Sequence, residues 1–373
     1  MKLPVTRALA LAALPVLLLA LGAGTAAAQP AGGGPPPPKG FEADSASFVS
    51  ARTGFVLGAR HCGELPCPAR LEKTVNGGKT WTKVPAPAVS LVPSFSGTPL
   101  SAVSTVRFSS ASDGWLFGPG LWATTDGGQR WHRVSLPGAA GRAVVALAAS
   151  DGVAFAATEP VDGSLNAARL YRNEVGSGRW TLVSKVTPAA ALTVSGHSVW
   201  AGIAPKLWRS ADGGRHWSKL PFRCPSDAVD ATAVAAASAS DVALACSNLG
   251  FPLPGSSFKK VFTSGNGGRT FRLAGEPAEP GETGLLALPA GHPRVITLTA
   301  ASGATYLYRS VNGGRAWKVA TFSDSGLDVR DLAYASASTG YLIHFSGGPA
   351  LGYGKGLMKT VNAGATWKAV AIP

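Results

Sequence analysis

A short motif, LYRSVNGGRAWKV at 307–319, recurs along the chain. Each copy is an apolar and aromatic run, a Ser/Thr-x-Asp/Asn-Gly-Gly turn, and a Trp or Phe followed by alternating residues. We call this turn the box turn. Seven copies of one strand-turn-strand unit indicate a repeat architecture. Besides the copy at 307–319, copies start at Leu71, Leu121, Leu207, Val261 and Leu357, and a degenerate one starts at Leu170.

The box turn is typical of a tight β-hairpin. Asn-Gly and Asp-Gly favour sharp reversals because both residues tolerate positive φ. The Ser or Thr two positions earlier can accept hydrogen bonds from turn amides. The aromatic residue after each turn is expected to bury a large ring. In the degenerate copy, Val175 stands where the Asp or Asn is expected.

The spacing of the units predicts the number of strands. Successive aromatic residues are 50, 49, 37, 54, 46 and 50 positions apart. About thirty residues before each aromatic lies a second apolar–turn–apolar pattern, such as VRFSSASDGWLFG from Val106. Four short strands per unit predict an all-β fold, a single seven-bladed β-propeller of four-stranded antiparallel blades. A count of six or eight blades stays open if the third unit is misassigned.

The box turn resembles the Asp-box, or BNR, repeat S-x-D-x-G-x-T-W of the sialidase-like superfamily, over nearly all of the chain after residue 40. Such proteins include sialidases, other glycan hydrolases, sortilin-type receptors and the photosystem II assembly factor group, whose compact propeller acts without catalysis. In the family the boxes lie on the outer rim, away from the ligand site. The resemblance therefore implies structural roles for Asn76, Asp126, Asp212, Asn266, Asn312 and Asn362.

The N-terminal residues predict export. Two basic residues precede an apolar run at 8–21 that is too short to span a membrane, and three alanines ending at Ala28 form a cleavage signal. No cysteine follows this site, so a lipid anchor is not expected. The predicted organisation is a signal peptide at 1–28, a Pro/Gly-rich linker at 29–40 and one propeller domain at 41–373, secreted or extracytoplasmic.

Four cysteines in an exported chain predict two disulfides. Sequence alone allows three pairings, and the blade assignment favours Cys62–Cys67 and Cys224–Cys246. The alternative, a zinc site, fits poorly because Cys-x4-Cys and a distant Cys-x21-Cys occur with only six histidines, none at metal spacing. We therefore assign no metal and no cofactor.

The chain is basic, with a formal net charge of +14. Much of this charge lies in the repeats, so we expect a basic belt around one rim, attracting anionic polymer or membrane surfaces. A merely solvated rim is the alternative. Nucleic acid is not an expected partner, because the protein is exported and has no recognised reading motif. The repeated cations are Lys79, Arg215, Arg269 and Arg315 after the glycines, and Lys73, Arg209, Arg309 and Lys359 before the Ser or Thr.

The longer connections fall on the face opposite the box turns, which is therefore the expected binding face. The alternative is that these loops are tolerated insertions. Near the central channel, polar candidates gather on two innermost strands, although turn capping and ion pairing also explain them. The candidate binding residues are Arg107, Asp328, Arg330, Asp331 and Tyr334.

No catalytic residues are assigned, because the Arg-Ile-Pro motif of sialidases is absent. The sequence favours an exported, monomeric, non-catalytic propeller that binds a protein or glycan partner at the cell envelope as a scaffold. Two alternatives stay open. One is a sialidase-type glycoside hydrolase, and the other is a wall-associated structural protein held by its basic rim.

Overall fold

The computed structural model describes residues 40–60, 67–91, 100–161, 168–184, 191–202, 207–228, 230–248, 258–277, 282–302, 304–323, 328–346 and 354–373. These residues form thirty strands and no helix, and so no helix of membrane-spanning length and apolarity occurs within these ranges. Seven sheets have four antiparallel strands each, which confirms the predicted propeller. The predicted signal peptide and nearly all of the predicted linker lie outside the described residues.

The strands of the first half follow in chain order. They are β1 (Phe41–Phe48), β2 (Gly54–Arg60), β3 (Cys67–Pro68), β4 (Arg70–Thr74), β5 (Thr82–Val84), β6 (Ser90–Leu91), β7 (Thr105–Phe108), β8 (Gly114–Phe117), β9 (Leu121–Thr124), β10 (His132–Arg133), β11 (Arg142–Ser150), β12 (Val153–Pro160), β13 (Arg169–Glu174), β14 (Trp180–Ser184) and β15 (Leu192–Ser195).

The second half continues in the same order. Its strands are β16 (Ser198–Ala201), β17 (Trp208–Ser210), β18 (Ser218–Lys219), β19 (Asp230–Ala236), β20 (Val242–Ser247), β21 (Lys259–Ser264), β22 (Arg272–Gly275), β23 (Glu282–Ala287), β24 (Ile296–Ser302), β25 (Ala304–Ser310), β26 (Lys318–Ser323), β27 (Asp328–Tyr334), β28 (Gly340–Ser346), β29 (Gly354–Thr360) and β30 (Lys368–Val370).

Each blade is built from one continuous stretch of chain. Blade 1 is β1-β2-β4-β5, and each later blade takes the next four strands from β7 onward. The remaining strands, β3 and β6, pair with each other in a separate two-stranded sheet. The first strand of each blade is innermost and the last is outermost.

Burial explains the composition of the second strands. β8, β16 and β20 are buried along their whole length, as expected for short continuous apolar runs between neighbouring blades. The outermost strands β10 and β18 are exposed throughout.

Side chains of the box turn satisfy its backbone. Thr360 Oγ1 accepts a hydrogen bond from Gly364 N at 2.9 Å and donates to Asn362 Oδ1 at 2.9 Å. Asn362 Oδ1 also accepts from Thr366 N at 2.9 Å. The turns at Asn76, Asp126, Asp212, Asn266 and Asn312 repeat these contacts, as the sequence predicted for the Ser or Thr.

Five cations of the repeats point into the gaps between blades. Lys359 Nζ donates to Gly77 O at 2.7 Å, and Arg309 Nε donates to Ala363 O at 2.6 Å. In five blades, the side chain before the Ser, Thr or Asn of the box turn lies against the box turn of the next blade. We call these residues the inter-blade cations, and they are Lys73, Arg172, Arg209, Arg309 and Lys359.

The expected rim belt is therefore wrong for Lys73, Arg209, Arg309 and Lys359, which are only partly exposed. Lys73 and Arg209 lie over the rings of Phe55 and Trp200, at 5.0 and 5.6 Å from the centroids. The cations that follow the glycines, Lys79, Arg215, Arg269 and Arg315, are exposed as expected.

The predicted disulfide between Cys224 and Cys246 is present. It joins the segment after β18 to the end region of β20. Cys67 is also disulfide-bonded, but Cys62 lies outside the described residues, so that pairing stays a prediction.

One box turn carries alanine where the others carry glycine. Ala363 has φ of 54°, in the left-handed region, which costs an L-residue about 1–2 kcal/mol. We expect Ala363→Gly to raise the free energy of unfolding by about 0.5–1 kcal/mol, since the greater freedom of glycine in the unfolded chain offsets part of the relief. Chemical denaturation measures this. The control, Ala365→Gly in the same turn, has no positive φ to relieve, and an equal gain there would contradict the explanation.

Candidate functional site

The seven innermost strands surround a central channel of about 900 Å³ with two unlike sides. Blades 7, 1 and 2 line it with charged and hydroxyl groups, and blades 3 to 6 line it almost entirely with aliphatic side chains. The charged side includes Asp44, Ser45, Arg107, Arg330 and Asp331. The aliphatic side includes Val145, Leu147, Leu192, Val194, Ala233 and Leu285.

A side-chain network links three blades on the charged side. Arg107 on β7 and Asp331 on β27 form a two-pronged ion pair, with Nη1–Oδ2 at 2.8 Å and Nη2–Oδ1 at 3.0 Å. Ser45 on β1 donates its hydroxyl to Asp331 Oδ2 at 2.7 Å, and Ala46 N donates to the same oxygen at 3.1 Å. The buried carboxylate thus joins blade 7 to blades 1 and 2.

The structure brings together only some of the candidate binding residues. Arg107 and Asp331 meet, and Arg330 lies exposed on the channel wall. Tyr334 borders the channel, but its hydroxyl is 2.6 Å from Thr297 Oγ1 of blade 6, so its polar end lies between two blades. Asp328 begins β27, and its side chain lies outside what the structure describes.

Sequence reasoning missed Asp44 and Ser45. Polar residues alternate with apolar ones in β1, FEADSASF. A polar side chain on an innermost strand faces either the channel or a neighbouring blade, so this alternation could have indicated both residues. Asp44 lines the channel, and Ser45 is buried beneath the ion pair.

Burial controls the titration of blade 7. It raises the pKa of the Tyr334 and Tyr341 hydroxyls and lowers the pKa of the His344 imidazole. His344 Nδ1 is buried and has no hydrogen-bond partner among the described residues. Those residues also contain no group of three or more His, Cys, Asp or Glu placed to hold a metal ion.

We expect Asp331→Ala to lower the free energy of unfolding by about 2–3 kcal/mol, because it leaves Arg107 without its partner. The Arg107 side chain is 33% exposed, so water restores part of the lost interaction. Urea denaturation measures the loss. A matched control is Glu174→Ala, which breaks the Arg172–Glu174 pair, where Glu174 is 62% exposed and the expected cost is below about 1 kcal/mol. Equal losses would show that the channel ion pair has no special role in ring stability.

His344 is expected to make the fold acid-sensitive. Its folded pKa is below the unfolded value of 6.5, so the unfolded chain takes up this proton first as pH falls. The contribution of neutral His344 to the free energy of unfolding is therefore fully present above pH 6.5, and it is lost as pH falls through the folded pKa. In His344→Gln, stability should fall less between pH 7 and pH 5, as measured by urea titration at each pH. The exposed His132→Gln is the control, and parallel curves for wild type and His344→Gln would contradict the prediction.

Comparisons with known proteins agree with this geometry at the level of fold. No protein-family model and no curated protein matches the sequence. Among solved structures, YCF48 bound to D1 peptide is 19% identical, with a TM-score of 0.56, over 87% of this chain and 95% of that one. YCF48 from Cyanidioschyzon merolae is 16% identical, with a TM-score of 0.58, over 89% and 98%.

A third similar structure comes from the structural and mechanistic analysis of two prolyl endopeptidases. It is 10% identical, with a TM-score of 0.55, and the match covers 89% of this chain but 50% of that chain. At such identities the likeness shows a shared propeller fold. Both binding proteins and hydrolases therefore occur among the structures this chain is similar to.

Proposed function

We propose that this protein is an exported, non-catalytic scaffold at the cell envelope that binds a segment of a protein partner at its central channel. The two-sided channel carries the proposal. An aliphatic wall that faces a charged wall suits a chain segment with apolar side chains on one side and polar groups on the other.

The size of the channel supports a peptide-like occupant. About 900 Å³ lies within the range of ligand pockets, roughly 300–1,000 Å³. Val145 is 44% exposed on the aliphatic wall, so part of that apolar surface is open to a partner. A glycan would satisfy the charged wall and leave the aliphatic wall uncovered. We therefore favour a protein over a glycan as the partner that occupies the channel.

The similar structures support the same class of function. YCF48 is a propeller of comparable length whose structure was solved with a D1 peptide. The sequence resemblance to the photosystem II assembly factor group points the same way. A photosynthetic role does not follow, because the shared features are the fold and the repeat.

The network around Asp331 favours binding over hydrolysis. Glycoside hydrolysis needs two carboxyl groups across a cleft. Both oxygens of Asp331 are engaged by Arg107, and one of them also accepts from Ser45 and Ala46. A carboxylate held by four hydrogen bonds, two of them from its ion-pair partner Arg107, is poorly suited to exchange a proton with a substrate.

The test is a pull-down of envelope components on the purified protein, washed at low and then at high salt. We expect a discrete protein to be retained at high salt and to be lost, by about tenfold or more, on Val145→Asp, because a buried unpaired charge opposes binding. Val361→Asp is the matched control, since Val361 is an equally simple exposed valine, 65% accessible, in a box turn.

Melting curves of both variants establish that each is folded. Equal retention by Val145→Asp and Val361→Asp would contradict a channel site. Retention of bulk anionic polymer alone, released by salt, would contradict the scaffold proposal and favour the basic rim as the working surface.

A further inference from the structure

The inter-blade cations fill a repeated position. In the gaps after blades 3, 6 and 7, the cation donates to a carbonyl of the next box turn, as with Arg172 Nε and Gly213 O at 2.6 Å. In the gaps after blades 1 and 4, Lys73 and Arg209 lie against Gly127 and Gly267 of the next box turn. Five of the seven gaps are therefore closed by the protein's own side chains.

Two blades lack the cation. In blade 2 the position is Ala123, but the buried Trp115 packs against Trp180, with ring centroids 6.4 Å apart, and a cavity of only about 20 Å³ remains. In blade 5 the position is Thr263, and its cross-strand partner is Ala243. The corresponding partners of Lys73 and Lys359 are aromatic rings.

The gap between blades 5 and 6 is consequently open. A cleft of about 750 Å³ lies there, between Thr263 and Gly313 of the next box turn. No atom would meet a Cβ built on Gly313, whereas Lys359, Lys73 and Arg209 would meet a Cβ built on the corresponding Gly77, Gly127 and Gly267. The corresponding Gly176, which follows the other blade without the cation, is open in the same way. Within the described residues, no hydrogen bond ends on Gly313 O.

The cleft is lined by polar box-turn side chains together with an apolar patch, and its border is basic. Leu273 and Leu288 line it, and Leu273 is 53% exposed. Three exposed arginines border it, and none of them forms an ion pair with a described residue. Among the described residues that border the cleft there is one carboxylate, Asp241, and it accepts hydrogen bonds from Ser238 and Ser240. The arginines are Arg272, Arg294 and Arg315.

We infer that the cleft between blades 5 and 6 is a binding site for an acidic peptide segment of a protein partner. A large apolar side chain of the segment lies between Leu273 and Leu288, and neighbouring carboxylates meet the three arginines. The site is separate from the central channel and does not depend on it.

Charge and shape exclude the simplest rival occupants. A lysine or arginine from a partner would approach three arginines. The same conflict is visible inside the ring, where burial and then a neighbouring rim cation lower the pKa of Arg209 and of Lys359. An anionic polymer without apolar groups would meet the arginines and leave the leucines uncovered.

The decisive variant is Thr263→Arg. It supplies the missing inter-blade cation, which should reach Gly313 O as Arg309 reaches Ala363 O, and so close the cleft between the two blades at that point. It also adds one positive charge. Binding inside the cleft is therefore expected to weaken, whereas attraction of an acidic peptide to a basic rim would strengthen. Thr263→Ser is the matched control, since it leaves the cleft empty.

The probe is a fluorescein-labelled peptide, Glu-Asp-Phe-Asp-Glu, measured by fluorescence anisotropy on the full chain at 150 mM NaCl. We expect saturable binding below about 1 mM. Replacing Phe by Ala in the peptide should weaken binding about tenfold, because the buried ring is lost. Thr263→Arg should weaken it at least about tenfold, while Thr263→Ser and the channel variant Val145→Asp leave it unchanged.

A second variant, Arg272→Ala combined with Arg315→Ala, tests the site without filling it, and should weaken binding severalfold. Three results would overturn the inference: no saturable binding, unchanged or tighter binding to Thr263→Arg, or equal binding of the Phe and Ala peptides. Inorganic polyphosphate that displaces the peptide equally from wild type and Thr263→Arg would also overturn it, in favour of a rim that binds anionic polymer. If Val145→Asp binds the peptide as wild type does, the peptide does not bind at the channel, so the test of the cleft does not depend on the channel proposal.

Discussion

Closure of the ring depends on side-chain contacts, because none of the described strands of blade 7 pairs with blade 1. Phe48 stacks on Tyr341 with ring centroids 3.3 Å apart, and the Tyr341 hydroxyl donates to Ala51 O at 3.3 Å. Nearer the axis, Asp331 binds Ser45 and reaches Arg107 one blade further. The junction is thus apolar between the blades and ionic at the channel. Part of the charged wall of the channel, the network around Asp331, therefore also holds the ring closed.

The same reasoning explains why the two candidate binding regions differ. At the channel, polar groups are largely engaged with one another, so a partner would use what they leave exposed, together with the aliphatic wall. At the gap between blades 5 and 6, the arginines are held apart by strands and turns and have no described ion-pair partner. The first region supports recognition by shape, and the second supports recognition by charge. Each proposal can therefore be tested without the other.

The spacing of the repeat predicted the blade number, and the Ser or Thr of each box turn predicted its hydrogen bonds. Strand order placed Arg107 and Asp331 near the channel, but it did not predict that the two side chains form an ion pair. It did not predict the direction of Lys73 or Lys359, because that depends on how closely a strand faces the next blade's turn. The open gap at Thr263 was also missed. Thr263 indicates an open gap only when it is compared with the other repeats, five of which carry a cation at this position.

Because every blade is one continuous stretch of chain, a gap in the ring is set by very few residues. A change from a basic residue to a small one before a single box turn would open a cleft at that gap, unless an aromatic ring packs there as Trp115 does beside Ala123, and it would leave the other gaps as they are. Binding surfaces could therefore arise, move or vanish around the ring through single codon changes, with the fold itself preserved by the remaining repeats. In a protein of this kind, partner choice could diverge quickly between close relatives while the architecture stays constant.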